Sequence, residues 1–161
     1  MYDIAIIGGG VIGCALAREL SRYKASLVVL EKEDDVCSGS SKANSGISHA
    51  GFDAKPGTNK ARFNVLGSKM MKDYCEELGV KYKNNGALVI AFGKEDEKTL
   101  EELLERGKIN GVDGLEILDR KRLHEVEPNV SPEATAALYA KTSGIVCPYD
   151  LTFACMGNAM D

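Results

Sequence analysis

Tyr2 to Ile7 is a short apolar run of β-type residues that stops at Gly8-Gly9-Gly10, a stretch no strand continues through comfortably. From Val11 the apolar positions change to helical spacing (Val11, Cys14, Ala15, Ala17, Leu20), which predicts a helix to about Tyr23. Ser26 to Leu30 is apolar again and rich in valine, the pattern of a buried strand, and Glu31 closes it. The chain therefore opens β, α, β. Cys37 to Pro56 is rich in Gly, Ser and Asn and keeps no period, so it reads as a long irregular segment, and long loops inside compact domains are functional or disordered. Asn59 to Leu78 reads as a helix with Phe63, Leu66, Met70 and Tyr74 along its apolar side and Gly79 as its C-terminal cap. Val80 to Phe92 predicts two strands around the turn signal Asn84-Asn85-Gly86. Glu95 to Ile109 is a charged helix with Leu100, Leu103 and Leu104 inward, ended by Asn110-Gly111. Leu115 to Leu118 reads as a strand, and Asp119 caps a short helix that stops before Pro128. Ala134 to Ala140 is a further strand, and Asp150 is the expected N-cap of a last helix.

Composition narrows the class. With 44% hydrophobic residues in 161, the chain can bury a genuine core. A net charge of -4 leaves no basic stripe to neutralise phosphates, so neither nucleic acid nor an anionic lipid surface is an expected partner. No run approaches the roughly 20 apolar residues of a membrane span, and Ile4 to Ile7 has no basic flank or cleavage site ahead of it. A cytoplasmic protein with no transmembrane segment is expected. The five cysteines are scattered and never form C-x-x-C, which points to neither a disulfide framework nor a metal site. Cys14 reads as a small apolar residue buried on a helix face.

Candidate chemistry begins at the glycines. Gly8-Gly9-Gly10-Val11-Ile12-Gly13 fits G-x-G-x-x-G, in which Gly8 makes the turn out of the strand, Gly10 lets backbone approach a pyrophosphate, and Gly13 lets the helix pack on the sheet. The helix N-terminus then offers free N–H groups and partial positive charge to phosphate. Alone the motif is weak. Here it follows a strand, opens a helix, and precedes Glu31 at the end of a second strand, at about the twenty-residue offset expected of a ribose ligand. A carboxylate there accepts hydrogen bonds from ribose hydroxyls and repels a 2′-phosphate, which disfavours NADP but does not separate FAD from NAD.

The stretch from Asp3 to Leu20, with Val29-Leu30-Glu31-Lys32, resembles the opening of the FAD-dependent oxidoreductases related to D-amino-acid oxidase. Ser40-Ser41-Lys42-Ala43-Asn44-Ser45-Gly46-Ile47-Ser48-His49-Ala50-Gly51 is similar to the T-S-G-R-N-S-G-x-x-H-A-G loop of the glycerol-3-phosphate and L-2-hydroxyglutarate dehydrogenases in that superfamily. It departs from the pattern at Lys42 and Ala43, which removes the arginine. Val126-Glu127-Pro128 through Gly144 to Asp150 also looks like that family, and the whole pattern most resembles the anaerobic glycerol-3-phosphate dehydrogenase large subunit.

The resemblance implies FAD as cofactor and a small anionic hydroxy compound as substrate, oxidised by hydride transfer to flavin. Glycerol 3-phosphate is the first candidate and L-2-hydroxyglutarate the second. Gly8, Gly10, Gly13, Glu31, Ser40, Ser41, Asn44, Ser45, Gly46 and Gly51 are the expected cofactor contacts, with Ser40, Ser41 and Asn44 as donors to pyrophosphate. Gly46 and Gly51 would let backbone run beside the isoalloxazine, and His49 is the candidate acceptor of the hydroxyl proton. His124 reads as exposed and inert. The expected fold is α/β, a Rossmann-like FAD-binding βαβ unit with part of an α+β substrate domain. Residues 1–79 are assigned to the FAD-binding part, 80–145 to the substrate side, and 146–161 to the return of the chain. No third parallel strand is evident, so a truncated fragment of a longer chain is expected, inactive alone and prone to self-association or association with another chain. The alternative is a catalytically incomplete dinucleotide-binding fragment.

Overall fold

Asp3 fastens the beginning of one strand to the beginning of the next: its carboxylate accepts from the Ser26 N–H at 2.8 Å and the Ser26 hydroxyl at 2.7 Å, and its own N–H donates to Ser26 Oγ at 3.0 Å. From that clasp β1 (Ile4–Ile7) and β2 (Leu27–Leu30) run parallel, with Ile4 opposite Leu27 and Ile7 opposite Leu30. Parallel neighbours need a crossover. It is α1 (Val11–Leu20), shorter than the expected reach to Tyr23, which buries Cys14, Ala17 and Arg18.

The computed structural model describes residues 1–161 and divides them into two units. The first comprises Met1–Ile47, Asp73–Tyr82 and Val146–Asp161; the second comprises Ser48–Lys72 and Lys83–Ile145. The units interleave along the chain, so residues 48–72 group with the later segment rather than with the first 79.

In chain order the remaining elements are β3 (Ile47–Ser48), α2 (Asn59–Glu77), β4 (Tyr82–Lys83), β5 (Ala87–Ala91), α3 (Lys94–Asn110), β6 (Leu115–Asp119), α4 (Arg120–Val126), β7 (Ala136–Ala140), β8 (Gly144–Val146) and α5 (Pro148–Met160). In the first unit α5 packs along α1, burying Leu151, Thr152 and Cys155. In the second unit β5, β7 and β6 form an antiparallel sheet in that order, with Ala140 opposite both Ala87 and Leu115. Leu100 of α3 joins Leu138, Ala140, Ala91 and Phe52 in one apolar cluster, and Leu123 of α4 joins Leu118, Ala134 and Ala137 in another.

Three expectations need correction, and a fourth is met in an unforeseen arrangement. The two strands expected around Asn84-Asn85-Gly86 form, but in different sheets: β4 belongs to a small sheet of order β3-β8-β4 while β5 belongs to the larger one. The turn residues bond elsewhere: Asn84 Nδ2 donates to the carbonyls of Lys141 and Ser143, and the Gly86 N–H to Ser143 O. On α2 the stripe of Phe63, Leu66 and Met70 is exposed, and Ala61, Val65 and Cys75 are the buried positions. The smaller stripe is covered because the backbone at Gly51 lies against Val65, an approach bulky side chains would block. The last helix begins at Pro148 with Cys147 as N-cap, since proline's fixed φ suits the first helical position; Asp150 sits in the first turn, where its charge favours the helix dipole. His124 on α4 is half-buried rather than exposed. Asp119 does cap α4, its Oδ1 accepting from the Arg122 N–H at 2.8 Å.

Candidate functional site

At the end of β1 the chain turns at Gly8, whose φ of 102° lies in the region that favours glycine, and the Gly8 N–H still reaches Leu30 O at 2.8 Å. Gly10 then precedes α1 in an extended conformation with no side-chain cap of its own, and of the helix's first N–H groups only that of Val11 is taken, by Ser41 Oγ. Two close approaches occur here, and the one to backbone excludes any side chain. A Cβ on Gly13 would lie 2.0 Å from Gly8 O, and one on Gly10 would lie 3.1 Å from Ser41 Oγ.

The turn is braced from the long loop. Val11 N–H donates to Ser41 Oγ at 2.9 Å, and Cys37 N–H donates to Gly9 O at 2.9 Å. Cys37 is buried and holds a φ of 63°, a left-handed conformation that costs a non-glycine residue energy and persists only where neighbours enforce it. Nothing in the sequence marked Cys37. Its thiol points to Pro148 O at 3.9 Å, so the loop is also tied to the start of α5.

Glu31 folds back over the glycines. Its Oε2 accepts from Gly9 N–H at 2.6 Å, while Oε1 accepts from Lys32 N–H at 2.8 Å and Glu33 N–H at 3.1 Å. The Gly9 N–H bond, with those from Glu33 and Lys32, holds its carboxyl below the usual carboxylate range against a smaller opposing effect of burial. It is therefore ionised at neutral pH, and a carboxylate's roughly four acceptor positions leave room for a ligand hydroxyl beside three backbone donors. Between these groups lies a cleft of about 380 Å³, lined by Gly8, Gly10, Leu30, Glu31, Ser40 and Ser41 among others, within the size range of small-molecule sites.

The remaining expected contacts are placed differently. Asn44 spends its amide inside the loop, donating to Ser40 O and Ser41 O at 3.2 and 2.8 Å and accepting from Gly46 N–H at 2.9 Å. It shapes the loop that carries the two serines. Ser45 is exposed. Gly46 is packed against β8, its carbonyl accepting from Val146 N–H at 2.9 Å and a Cβ there falling 2.4 Å from Val146 O. His49 and Gly51 belong to the second unit. His49 is exposed, directly after buried Ser48 and before buried Ala50. The Ala50 N–H donates to Ser143 Oγ at 3.2 Å, and Gly51 O accepts from Asn110 Nδ2 at 2.9 Å. Ser143 carried no sequence signal beyond its being polar, and Asn110 was read only as part of the Asn110-Gly111 helix stop.

The four buried cysteines, Cys14, Cys37, Cys75 and Cys155, are unpaired. Burial, followed by the neighbouring Cys155 and Cys37 thiols and Glu31, pushes the Cys14 thiol up to about 11, so it is a protonated packing group at neutral pH. Its Sγ points to Gly9 O at 3.3 Å, one more support under the turn.

The chain is 49% identical over 161 residues to a glycerol 3-phosphate dehydrogenase of Caloramator mitchellensis, covering 100% of this chain and 34% of the relative. It is 40% identical over 149 residues to a mitochondrial L-2-hydroxyglutarate dehydrogenase of Dictyostelium discoideum, covering 91% of this chain and 33% of the relative. Among solved structures it superimposes on the dithionite-reduced L-α-glycerophosphate oxidase of Mycoplasma pneumoniae with FAD bound, at a TM-score of 0.94 and 34% identity, covering 99% of this chain and 42% of that one. It thus spans about a third of the length of the curated relatives it matches. The family model for FAD dependent oxidoreductases matches residues 3–161, the glycine turn, the braced loop and both units together, and the chain belongs to that family.

Proposed function

We propose that the protein carrying this chain oxidises the secondary alcohol of glycerol 3-phosphate, with the cofactor's adenosine and pyrophosphate held in the cleft over α1. The observation that carries the cofactor half is the convergence of the α1 N-terminus, whose N-cap Gly10 has no side chain, with Gly8, Glu31, Ser40 and Ser41 on one cleft. The substrate half is supported by identity to a glycerol 3-phosphate dehydrogenase along the whole chain. Bound FAD supplies the hydride acceptor.

The chain's own residues do the rest. The N–H groups of Ile12 and Gly13 and the hydroxyls of Ser40 and Ser41 meet the pyrophosphate, and the ionised Glu31 takes a ribose hydroxyl. Gly10 keeps the backbone bare where the phosphates approach. His49, exposed on a segment whose backbone is pinned on its C-terminal side, accepts the hydroxyl proton as hydride leaves the carbon. The first unit is the cofactor side and the second the substrate side. No helix is long and apolar enough to cross a membrane, which fits the proposed action in the cytoplasm.

A second reading, oxidation of L-2-hydroxyglutarate, is favoured by the 40% identity to dehydrogenases of that substrate. Both compounds place a secondary alcohol near an anionic group, so one proton acceptor serves either. The test is anaerobic addition of each compound to the full protein while the flavin absorbance in the blue is followed. Bleaching by glycerol 3-phosphate is expected. Bleaching by L-2-hydroxyglutarate alone would transfer the assignment to the second reading, and bleaching by neither would sink both.

A further inference from the structure

We propose that Asn110, the last residue of α3, is a positioning residue for His49, an inference that rests on the role given to His49 above. Asn110 is 61 positions from His49 in sequence. Its side-chain amide has two protons, and both are committed: Nδ2 donates to Gly51 O at 2.9 Å and to Ala54 O at 2.8 Å. One NH2 group thus draws together two carbonyls of the segment that leaves His49.

Other contacts make this segment a fixed object. Four residues earlier on α3, and so on the same face, Arg106 Nη1 donates to Asp53 O at 3.1 Å. A Cβ on Gly107 would lie 3.0 Å from Phe52 Cβ, so the helix backbone itself rests on the segment. Gly51 has a φ of 103°, and a Cβ there would lie 2.8 Å from Val65 Cγ2, which leaves this peptide one conformation. Ala50 N–H donates to Ser143 Oγ, a side chain with 0% exposure. Ala50, Phe52 and Ala54 are buried while His49 is exposed, so the backbone that carries the imidazole is held in place from its C-terminal side.

Proton transfer depends steeply on the placement of the imidazole, because a misplacement near 1 Å can cost about a hundredfold in rate. Loss of the Asn110 amide releases two carbonyls at once and lets the turn after His49 relax. The proposal is distinct from a role in stability: Asn110 acts through His49, so its effect must vanish when the imidazole is absent.

The test is a double-substitution cycle in the full holoprotein, assayed with glycerol 3-phosphate and a dye acceptor, with flavin content measured throughout. Asn110→Ala is expected to lower kcat at least about tenfold with flavin content retained and KM little changed, and to distort the acid limb of the kcat/KM profile. Asn110→Gln, which keeps both donors, is expected to recover part of the loss. In a His49→Gln background neither change should lower kcat further. If Asn110→Ala does not fold, Asn110→Gln in the two backgrounds reads the same coupling. Equal losses with and without His49, or no loss at all, would overturn the positioning role. If His49→Gln itself leaves kcat and the pH profile intact, the reading of His49 fails first, and that result is distinguishable because it needs no change at Asn110.

Discussion

Gly10 and Gly13 stand three residues apart and do different work, which substitution should separate. A methyl on Gly13 would fall 2.0 Å from the Gly8 carbonyl, a backbone atom that cannot move aside without opening the turn. A methyl on Gly10 meets only the Ser41 hydroxyl at 3.1 Å, and the Gly10 φ of −74° is one that alanine adopts freely. Gly13→Ala should therefore cost about 2 kcal/mol of stability, as overpacking of a tight contact does. Gly10→Ala should stay within about 1 kcal/mol of the parent and instead lose dinucleotide affinity, since the methyl stands where phosphate must come close. Urea denaturation and flavin titration measured side by side decide it; a Gly10→Ala protein with unchanged flavin affinity would remove the pyrophosphate from this turn. At this scale the geometry of the turn was readable in the sequence, with Gly8 at a positive φ, Gly13 packed against the Gly8 carbonyl and Glu31 closing β2 beside them. The sequence was silent where a residue is needed for its backbone alone, as at Cys37, because a left-handed conformation imposed by neighbours leaves no mark on residue identity.

Arg18 shows how helices of the first unit are locked together. It is 3% exposed, yet it carries a charge that Glu77 meets at 2.6 Å, an Nε–H that Asn158 accepts at 2.8 Å, and a guanidinium stacked 4.6 Å from the Tyr74 ring centroid. Burial and then the adjacent Cys155 thiol push the Tyr74 hydroxyl up to about 12, so the ring faces the cation as a neutral phenol. Removing one partner of such a pair is worse than removing the charge altogether. Glu77→Ala leaves the buried cation with Glu19 alone, whose Oε1 lies 3.1 Å from Nη1, and should destabilise by about 1–2 kcal/mol, whereas Arg18→Met fills the same space without charge and should cost less than about 1 kcal/mol. Equilibrium unfolding that places the two in the reverse order would mean that the guanidinium's hydrogen bonds, not its desolvation, dominate.

The elements themselves were legible where period and punctuation agree, as for α3, with Leu100 inward and Gly111 past its end. They were misread where two patterns compete. On α2 both the bulky and the small stripe have helical spacing, and only the contact of Val65 with Gly51 selects the second. Around Gly86 the local turn signal is real, but long-range bonds to Ser143 take its strands into different sheets. β3 and β8, two and three residues long, carry too few positions to show any period.

At the scale of the molecule, interleaving decides what a sequence can reveal. The first unit is assembled from three separate stretches, and the cradle proposed for the cofactor comes from only one of them, Met1–Ile47. That is why the cradle was readable as a local motif, while Asn110 and Ser143, which hold the segment around His49 from more than fifty residues away, were not. The locality of the cradle gives a test of its preference. A ligand that binds only the native state adds stability by mass action, about 2.7 kcal/mol at a hundred times its dissociation constant. FAD should raise the melting temperature of the full apoprotein in a concentration-dependent way. NADP+ at the same concentrations should raise it far less, because Glu31, held ionised by the Gly9 N–H, repels a 2′-phosphate. Glu31→Gln keeps the shape and one carbonyl acceptor but removes the charge, so the FAD shift should shrink while the gap between the two ligands narrows. Thermal melts of parent and variant with each ligand measure both effects. Equal shifts from FAD and NADP+ in the parent, or an FAD shift unaltered by Glu31→Gln, would take the ribose away from Glu31 and require the adenosine to lie elsewhere in the first unit.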